Sequence, residues 1–148
     1  DIGHITGIAA QLNQNVFIRN GVSKISANLS GIETQEENKV FGTVDNIVQG
    51  NLYELDKRND GVVLGTGLAE IIGVNLNDNI TIQTSDGVSK VFKVVGTIET
   101  GAASLDRSRA LVNIDVARQL LNKNKSYATE LMIDIDEYKN IIIITIFI

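Results

Sequence analysis

Few side chains in this sequence could do chemistry, and they are widely spaced. His4 is the single histidine and the residue best suited to proton transfer near neutral pH. No acid or nucleophile stands at a sequence spacing from His4 that is typical of a catalytic pair. Asp134, Asp136 and Glu137 form an acidic cluster that could hold two working carboxylates or half of a calcium loop. The glycine and ligand register of a calcium loop are missing. We therefore interpret His4 as a packing or solvent-facing residue and the aspartates as the wet face of a strand.

Two further groups could bind an anion. Gly65-Thr66-Gly67 precedes a short helical pattern, but the Walker lysine and the third glycine of a dinucleotide fingerprint are absent. Asp106, Arg107 and Arg109 lie in the polar connection after Gly101, where an arginine pair could hold an anion or the carboxylate of another subunit. A solvated loop is the default interpretation. No enzyme mechanism can be assembled from these residues, so we predict no catalytic residue, no cofactor and no metal.

Composition excludes several classes of function. The 148 residues include 13 basic and 18 acidic side chains, which give a net charge of −5. A negatively charged protein is repelled by a phosphate backbone, so no nucleic-acid partner is expected. Cysteine is absent, which excludes disulfides, thiolate nucleophiles and sulfur-ligated zinc. The hydrophobic fraction of 43% suffices for the core of one domain.

Both ends of the sequence look cut. No window reaches the roughly 18 apolar residues that a membrane-spanning helix requires, and no basic stretch leads into an apolar one at the N-terminus. The chain begins at Asp1 and ends in an isoleucine-rich run over residues 141–148. We expect residues 1–148 to be one domain from a longer protein. The tail is a buried strand, the stump of something longer or doubtful sequence, and we favour the strand.

Hydrophobic spacing predicts the first elements. Apolar residues at helical spacing over residues 5–16 predict a helix that ends near Arg19, with Asn20-Gly21 as its stop. Alternation over residues 25–29 predicts a strand. The polar stretch over residues 33–39 is interpreted as a turn. A second strand is expected to follow through Val40, Gly42 and Val44.

The middle of the chain carries clearer signals. Residues 62–73 predict a short strand and then a helix that Thr66 caps and Gly73 ends. Alternating apolar residues over 80–98 flank Asp86-Gly87, which is typical of a two-residue hairpin turn. We therefore predict a β-hairpin in this region.

Toward the C-terminus, Leu111-Val112 begins another element. A helical stripe over residues 116–121 follows, with Asn113 or Asp115 as its cap, and residues 131–135 alternate as a final strand.

This mixture of elements predicts an α+β domain. We expect two lobes. The first would hold the N-terminal helix and the strands near Ile25 and Ile133, and the second would hold the strand near Val44 and the inserted hairpin.

Several motifs resemble those of a known family. Gly65-Thr66-Gly67-Leu68-Ala69 is similar to a G-x-x-L-A helix start, and residues 73–80 are similar to a G-V-x-V-G-D-x-V turn into a strand. Asn77 stands where that family has glycine. This departure is mild, because asparagine tolerates a positive φ better than other non-glycine residues.

Further motifs follow in the same order. Residues 92–96 resemble an F-x-V-V-G strand, Glu99-Thr100-Gly101 the T-G after it, and Asp106 the aspartate of the next loop. The helix with Asp115, Ala117, Leu120 and Leu121 resembles the one before the closing strand, and Gly3-His4-Ile5-Thr6 is similar to the segment after a first transmembrane helix. In order and type, these motifs resemble the extracytoplasmic core domain of MacB-type ABC transporter permeases, a family that includes LolC, LolE and the wider FtsX-like permeases.

The resemblance implies a domain held between two transmembrane helices, outside the cytoplasmic membrane. ATP would be hydrolysed by an associated ATPase subunit or domain, and the domain would move against a second permease copy or homologue to export or release a lipoprotein, a peptide or a small molecule. It would do no bond chemistry. The loop from Gly101 to Arg109 is our candidate for the partner contact, and we expect it to be exposed and mobile.

Two other functional classes stay open. A free-standing secreted binding module would have the same composition, and apolar stretches of about 20 residues flanking the domain in the full gene would decide against it. An enzyme of unrecognised type would need convergent carboxylates in a deep pocket around Asp134.

Overall fold

Residues 5–135 and 140–146 are described by a computed structural model of the chain. Their strands are β1 (Ile5–Asn20), β2 (Ser23–Ile32), β3 (Ile47–Gly50), β4 (Gly61–Gly65), β5 (Asn79–Gln83), β6 (Ser89–Ile98), β7 (Arg109–Asn113), β8 (Glu130–Ile135) and β9 (Asn140–Thr145). Their helices are α1 (Thr34–Phe41), α2 (Glu54–Lys57), α3 (Thr66–Ile72), α4 (Ala103–Asp106) and α5 (Ile114–Leu120), with a 3-10 turn over Thr43–Asn46. The predicted α+β class is confirmed.

Six of these strands close into a ring. The order is β2-β7-β4-β6-β5-β1, and β1 pairs with β2 to complete it. Two of the pairs are parallel, β2 with β7 and β4 with β6, and the other four are antiparallel. β8 and β9 extend the sheet from the first half of β1, while β3 adds to β6. A long strand therefore links the ring to its extension.

The first element is a strand, so the helix predicted to end near Arg19 is wrong. Leu12 and Val16 are buried, but a spacing of four residues places them on one face of a strand as well as one face of a helix. The strand interpretation also accounts for Ile18, which is buried on the same face. β1 hydrogen-bonds to β2, β5 and β8 along its length, and Gly21 with Val22 forms the turn into β2.

The segment after β2 is also different from the prediction. The polar stretch expected to be a turn is the helix α1, and the strand expected through Val40, Gly42 and Val44 does not form. Val40 instead lies in the last turn of the helix, on its buried side, and Gly42 has a φ of +63° at the helix C-terminus. One buried apolar residue in eight is too weak a signal to show helical periodicity.

The strand and helix expected over residues 62–73 are present as β4 and α3. Gly73 ends the helix as predicted, but Thr66 does not cap it: its hydroxyl donates to Glu99 Oε1 at 3.2 Å. The cap predicted for α5 is confirmed at Asn113, whose side chain accepts from the Asp115 N–H at 2.8 Å.

The predicted β-hairpin is confirmed, although its turn is longer than expected. Gln83 pairs with Ser89, and the Gly87 N–H donates to the Thr84 carbonyl at 3.0 Å. Only Gly87 has a positive φ, +86°, so the loop matches a four-residue turn closed by a left-handed glycine. Asp86 is therefore a turn residue without a left-handed backbone.

Asn77 has a φ of +74°, the conformation that the family motif gives to glycine. Its N–H donates to the Val94 carbonyl at 2.8 Å, and Val94 N–H donates to the Asp78 carbonyl at 2.8 Å. These bonds fix the turn that leads from α3 into β5. Asn77 therefore adopts the left-handed conformation, as expected for asparagine at a glycine position.

The two predicted groups of strands share one sheet. β1, which was expected to be a helix, pairs with β2 and β8, the two strands of the first expected lobe. β3 pairs with β6 of the hairpin, but β3 begins at Ile47, after the strand expected near Val44, which does not form. However, β1 also pairs with β5, which joins the hairpin to the first group. The main core contains residues from β1, β2, β4, β5, β6 and β7 together with α3 and α5. A shared core and a shared sheet join the expected lobes among the described residues.

Candidate functional site

The loop predicted as a contact surface, residues 101–109, contains the helix α4 and is hereafter the contact loop. Its first five residues are exposed, and Leu105 keeps 45% of its surface in water. Arg107 is exposed as well, whereas Asp106 is buried. Part of the loop is therefore open to a partner, and part of it belongs to the structure beneath.

Asp106 anchors the contact loop. Its Oδ1 accepts hydrogen bonds from the Thr100 N–H at 2.9 Å and the Thr100 hydroxyl at 2.8 Å, and its Oδ2 accepts from the Gly101 N–H at 3.2 Å. Burial alone would raise the pKa of Asp106, but these hydrogen bonds outweigh burial and hold the pKa below its usual value. The carboxylate is thus a structural clamp rather than a partner-binding group.

The Gly65-Thr66-Gly67 segment lies directly under the contact loop. A Cβ on Gly65 would overlap the carbonyl oxygen of Asp106, and a Cβ on Gly67 would stand 2.8 Å from Arg107 Cγ. The glycines therefore allow α3 and the contact loop to approach closely. The neighbouring cleft, of about 330 Å³, is also lined by Glu70 and Glu99, which would repel a phosphate.

The two arginines of the candidate site do not act as a pair. Arg107 lines the cleft beside α3, whereas Arg109 begins β7 and lines a different cleft beside α1. Arg109 Nη2 lies 3.8 Å from Glu37 Oε2, and 23% of the arginine side chain is exposed. The two arginines, which the sequence offered as a possible anion-binding pair, therefore lie on two different faces of the contact loop.

Glu37 is a buried carboxyl group that sequence reasoning missed. It lies on the inner side of α1, is 2% exposed, and its Oε2 accepts a hydrogen bond from Gln11 Nε2 at 2.6 Å. Its Oε1 has no partner among the described residues. Burial raises the pKa of Glu37 to about 7, although Arg109 and the bond from Gln11 oppose this shift. A glutamate within a polar stretch gives no sequence signal of such burial.

Two adjoining clefts flank Arg109. One, of about 270 Å³, lies between α1 and the contact loop, and the other, of about 380 Å³, lies over β1, β2 and β8. Phe41 and Leu105 line both clefts, and each is at least 40% exposed. The two side chains therefore leave apolar surface exposed beside Arg109.

The other candidate groups stay apart from this surface. Asp134 Oδ2 accepts from the Thr6 hydroxyl at 2.9 Å, whereas His4, Asp136 and Glu137 lie outside the described residues. In residues 5–135 and 140–146, no three His, Cys, Asp or Glu side chains are arranged to hold a metal ion. Within the same ranges, every helix is too short or too polar to cross a lipid bilayer.

Comparison with known sequences gives a consistent result. The profile of the MacB-like periplasmic core domain matches residues 1–143. The lipoprotein-releasing system transmembrane protein LolC of Neisseria meningitidis is 29% identical over 133 residues, which cover 84% of this chain and 32% of that protein. LolE of Haemophilus influenzae is 31% identical over 81 residues, covering 55% of this chain and 19% of that protein. The chain thus spans about a third of the LolC relative.

Solved structures share the fold. The periplasmic region of MacB from Actinobacillus actinomycetemcomitans superposes with a TM-score of 0.66 at 16% identity, over 96% of this chain and 72% of that one. The extracellular domain of the ABC-type transporter YknZ from Gram-positive bacteria gives the same TM-score at 11% identity, over 92% of this chain and 68% of that one. The motifs, the fold and the profile match agree, and the chain belongs to the family of MacB-like periplasmic core domains found in ABC transporter permeases.

Proposed function

We propose that this domain couples ATP hydrolysis, performed by an associated ATPase, to the export or release of a substrate. It would stand on the extracytoplasmic side of the cytoplasmic membrane, held by transmembrane helices of the full permease, and move against a second permease copy or homologue. Membership in the permease family supports this proposal. LolC and LolE are lipoprotein-releasing proteins by name, and for this chain a lipoprotein is one candidate beside a peptide or a small molecule.

Within this function, the contact loop is the proposed partner surface. The observation that carries the proposal is its division into an exposed tip and a fixed base. Gly101 and Leu105 are exposed, while the side chain of Asp106 is tied to Thr100 and the main chain of Asp106 rests on Gly65. A domain that transmits motion needs such a base, because a loose loop would absorb the displacement instead of passing it on. In this proposal, the mobility expected from the sequence belongs to the exposed tip of the loop.

The contact is expected to be partly apolar. Leu105 from the loop and Phe41 from α1 are both exposed and line the same two clefts. Arg107 adds a cation on the other side of the loop, near Glu70 and Glu99. Because transmembrane helices would hold the two permease copies together, a small face of this kind suffices for contact.

The test uses the full permease with its ATPase. Leu105→Ser and Arg107→Glu are expected to lower substrate export and coupled ATPase activity several-fold, without changing the amount of folded permease. Val22→Ser and Lys125→Glu are the matched controls, since both residues are exposed and lie in turns outside the contact loop. Full transport by both loop variants would remove the contact loop from the mechanism. Replacing Arg109 together with Arg107 would be a poor test, because Arg109 lies against the buried Glu37.

A further inference from the structure

Glu37 lies where three elements meet around one buried carboxyl group. α1 carries the glutamate, β1 supplies Gln11, and β7 supplies Arg109 at the end of the contact loop. The Thr43 hydroxyl, from the 3-10 turn, donates to the main-chain carbonyl of Glu37 at 3.4 Å. This one carboxyl group therefore connects α1 with β1 and with the residue at which the contact loop ends.

We propose that Glu37 and Arg109 form a proton-controlled clamp, which holds the contact loop against α1 when Glu37 is ionised and loosens it when Glu37 is protonated. The proposal rests on the function given above to the contact loop, and it adds the regulation of that same surface.

The hydrogen-bond geometry supports a two-state clamp. The bond from Gln11 Nε2 to Glu37 Oε2 survives protonation at the other oxygen, Oε1, which has no partner among the described residues. The attraction between Glu37 and Arg109 depends on the negative charge and is lost on protonation. Arg109 is thus the partner whose position changes with the proton, because Gln11 holds the carboxyl group in both states.

Few other charges act on this carboxyl group. Glu33, just before α1, adds a small repulsion, and its Oε1 accepts from the Ala10 N–H at 2.9 Å. Glu36 and Lys39 pair with each other at 3.6 Å on the exposed side of α1. From β8, Glu130 connects to Gln11 only through the side chain of Asn13. Arg109 is therefore the cation that decides the state of the clamp.

Release of Arg109 would act on the cleft beneath the contact loop. This cleft of about 270 Å³ is walled by Phe41 from α1, Leu105 from the contact loop and Arg109 itself. If the Arg109 side chain moves away from Glu37, the cleft widens between Phe41 and Leu105. The exposed face offered to a partner would then change with pH while the Asp106 anchor, which faces Thr100, stays in place.

The experiment is an NMR titration of the 148-residue chain across neutral pH. We expect the Arg109 Nε–H signal and the Leu105 and Ser108 amides to shift together, with a midpoint near the pKa of Glu37, about 7. Glu37→Gln should abolish this shared titration. Glu36→Gln, on the exposed side of the same helix, should leave it unchanged.

A second variant keeps the test decisive if Glu37→Gln fails to fold. Arg109→Gln should raise the midpoint of the Glu37 carboxyl signal, because the removed cation favours the ionised form. Loop signals that stay fixed while Glu37 titrates, or that titrate equally in Glu37→Gln, would overturn the clamp. Either result leaves the contact-loop proposal standing, since Leu105→Ser and Arg107→Glu test it without touching Glu37.

Discussion

The carbonyl oxygen of Asp106 lies so close to Gly65 that a Cβ atom at position 65 would overlap it. Gly65 ends β4 and Asp106 ends α4, so this contact joins the start of α3 to the contact loop. It assigns a packing role to a glycine-rich segment that could be mistaken for a phosphate site.

Gly65→Ala is therefore expected to destabilise the chain by about 2 kcal/mol, because backbone must move to make room for the new methyl group. Gly67→Ala should cost less than half as much, since its Cβ would stand 2.8 Å from Arg107 Cγ and 3.1 Å from the Asp106 carbonyl oxygen, which is a milder clash than the overlap at Gly65. Urea unfolding of both variants measures the difference. Equal losses would mean that the loop does not pack against Gly65 as described.

The positive φ of Asn77 leads to a graded prediction. Asn77→Gly should change the free energy of unfolding by no more than about 0.5 kcal/mol, whereas Asn77→Val should lower it by about 1 to 2 kcal/mol, because a β-branched residue resists the left-handed conformation. Thermal unfolding of both variants is the measurement. A valine variant as stable as the glycine variant would contradict the turn conformation.

Gly87 provides the corresponding test in the hairpin. No atom lies within 4 Å of a Cβ built on Gly87, so the cost of a substitution comes from the backbone alone. Gly87→Val should lower the free energy of unfolding by about 1 kcal/mol or more, and Gly87→Asn should lower it by less. Matching unfolding curves for the two variants would argue against a left-handed residue at this position.

The sequence predicts elements well where local chemistry decides them. The hairpin around Gly87, the helix stop at Gly73 and the cap at Asn113 each depend on residues close in the chain. β1 was missed because Leu12 and Val16 satisfy a helical and a strand spacing alike. Pairing with three distant strands decides between them, and those partners cannot be read from the local sequence.

The candidate site was only partly predictable for the same reason. The exposure of the contact loop follows from its polar composition, and its tip around Leu105 is open as expected. The burial of Asp106 and the meeting of Arg109 with Glu37 depend on tertiary contacts between residues far apart in the chain. The residues that flank a charged side chain in the sequence do not show whether that side chain is buried and paired or exposed to solvent.

The final prediction concerns the pH dependence of stability. The folded pKa of Glu37, about 7, exceeds its ordinary value of 4.5, so the folded chain binds this proton more tightly than the unfolded chain does. The resulting stabilisation is fully present below pH 4.5 and is lost as the pH rises through about 7. The shift corresponds to a loss of about 3 kcal/mol.

Glu37→Gln removes the titrating group while keeping the size of the side chain and an acceptor oxygen. Above pH 7 this variant should be more stable than the wild type, and the advantage should shrink toward pH 4.5, where the wild-type carboxyl group is protonated in the fold. Urea unfolding at several pH values measures the difference between the two chains, so that all other titrating groups cancel. Glu36→Gln should follow the wild-type curve, because Glu36 lies on the exposed side of α1. A constant difference between Glu37→Gln and the wild type at every pH would show that Glu37 does not titrate in this range.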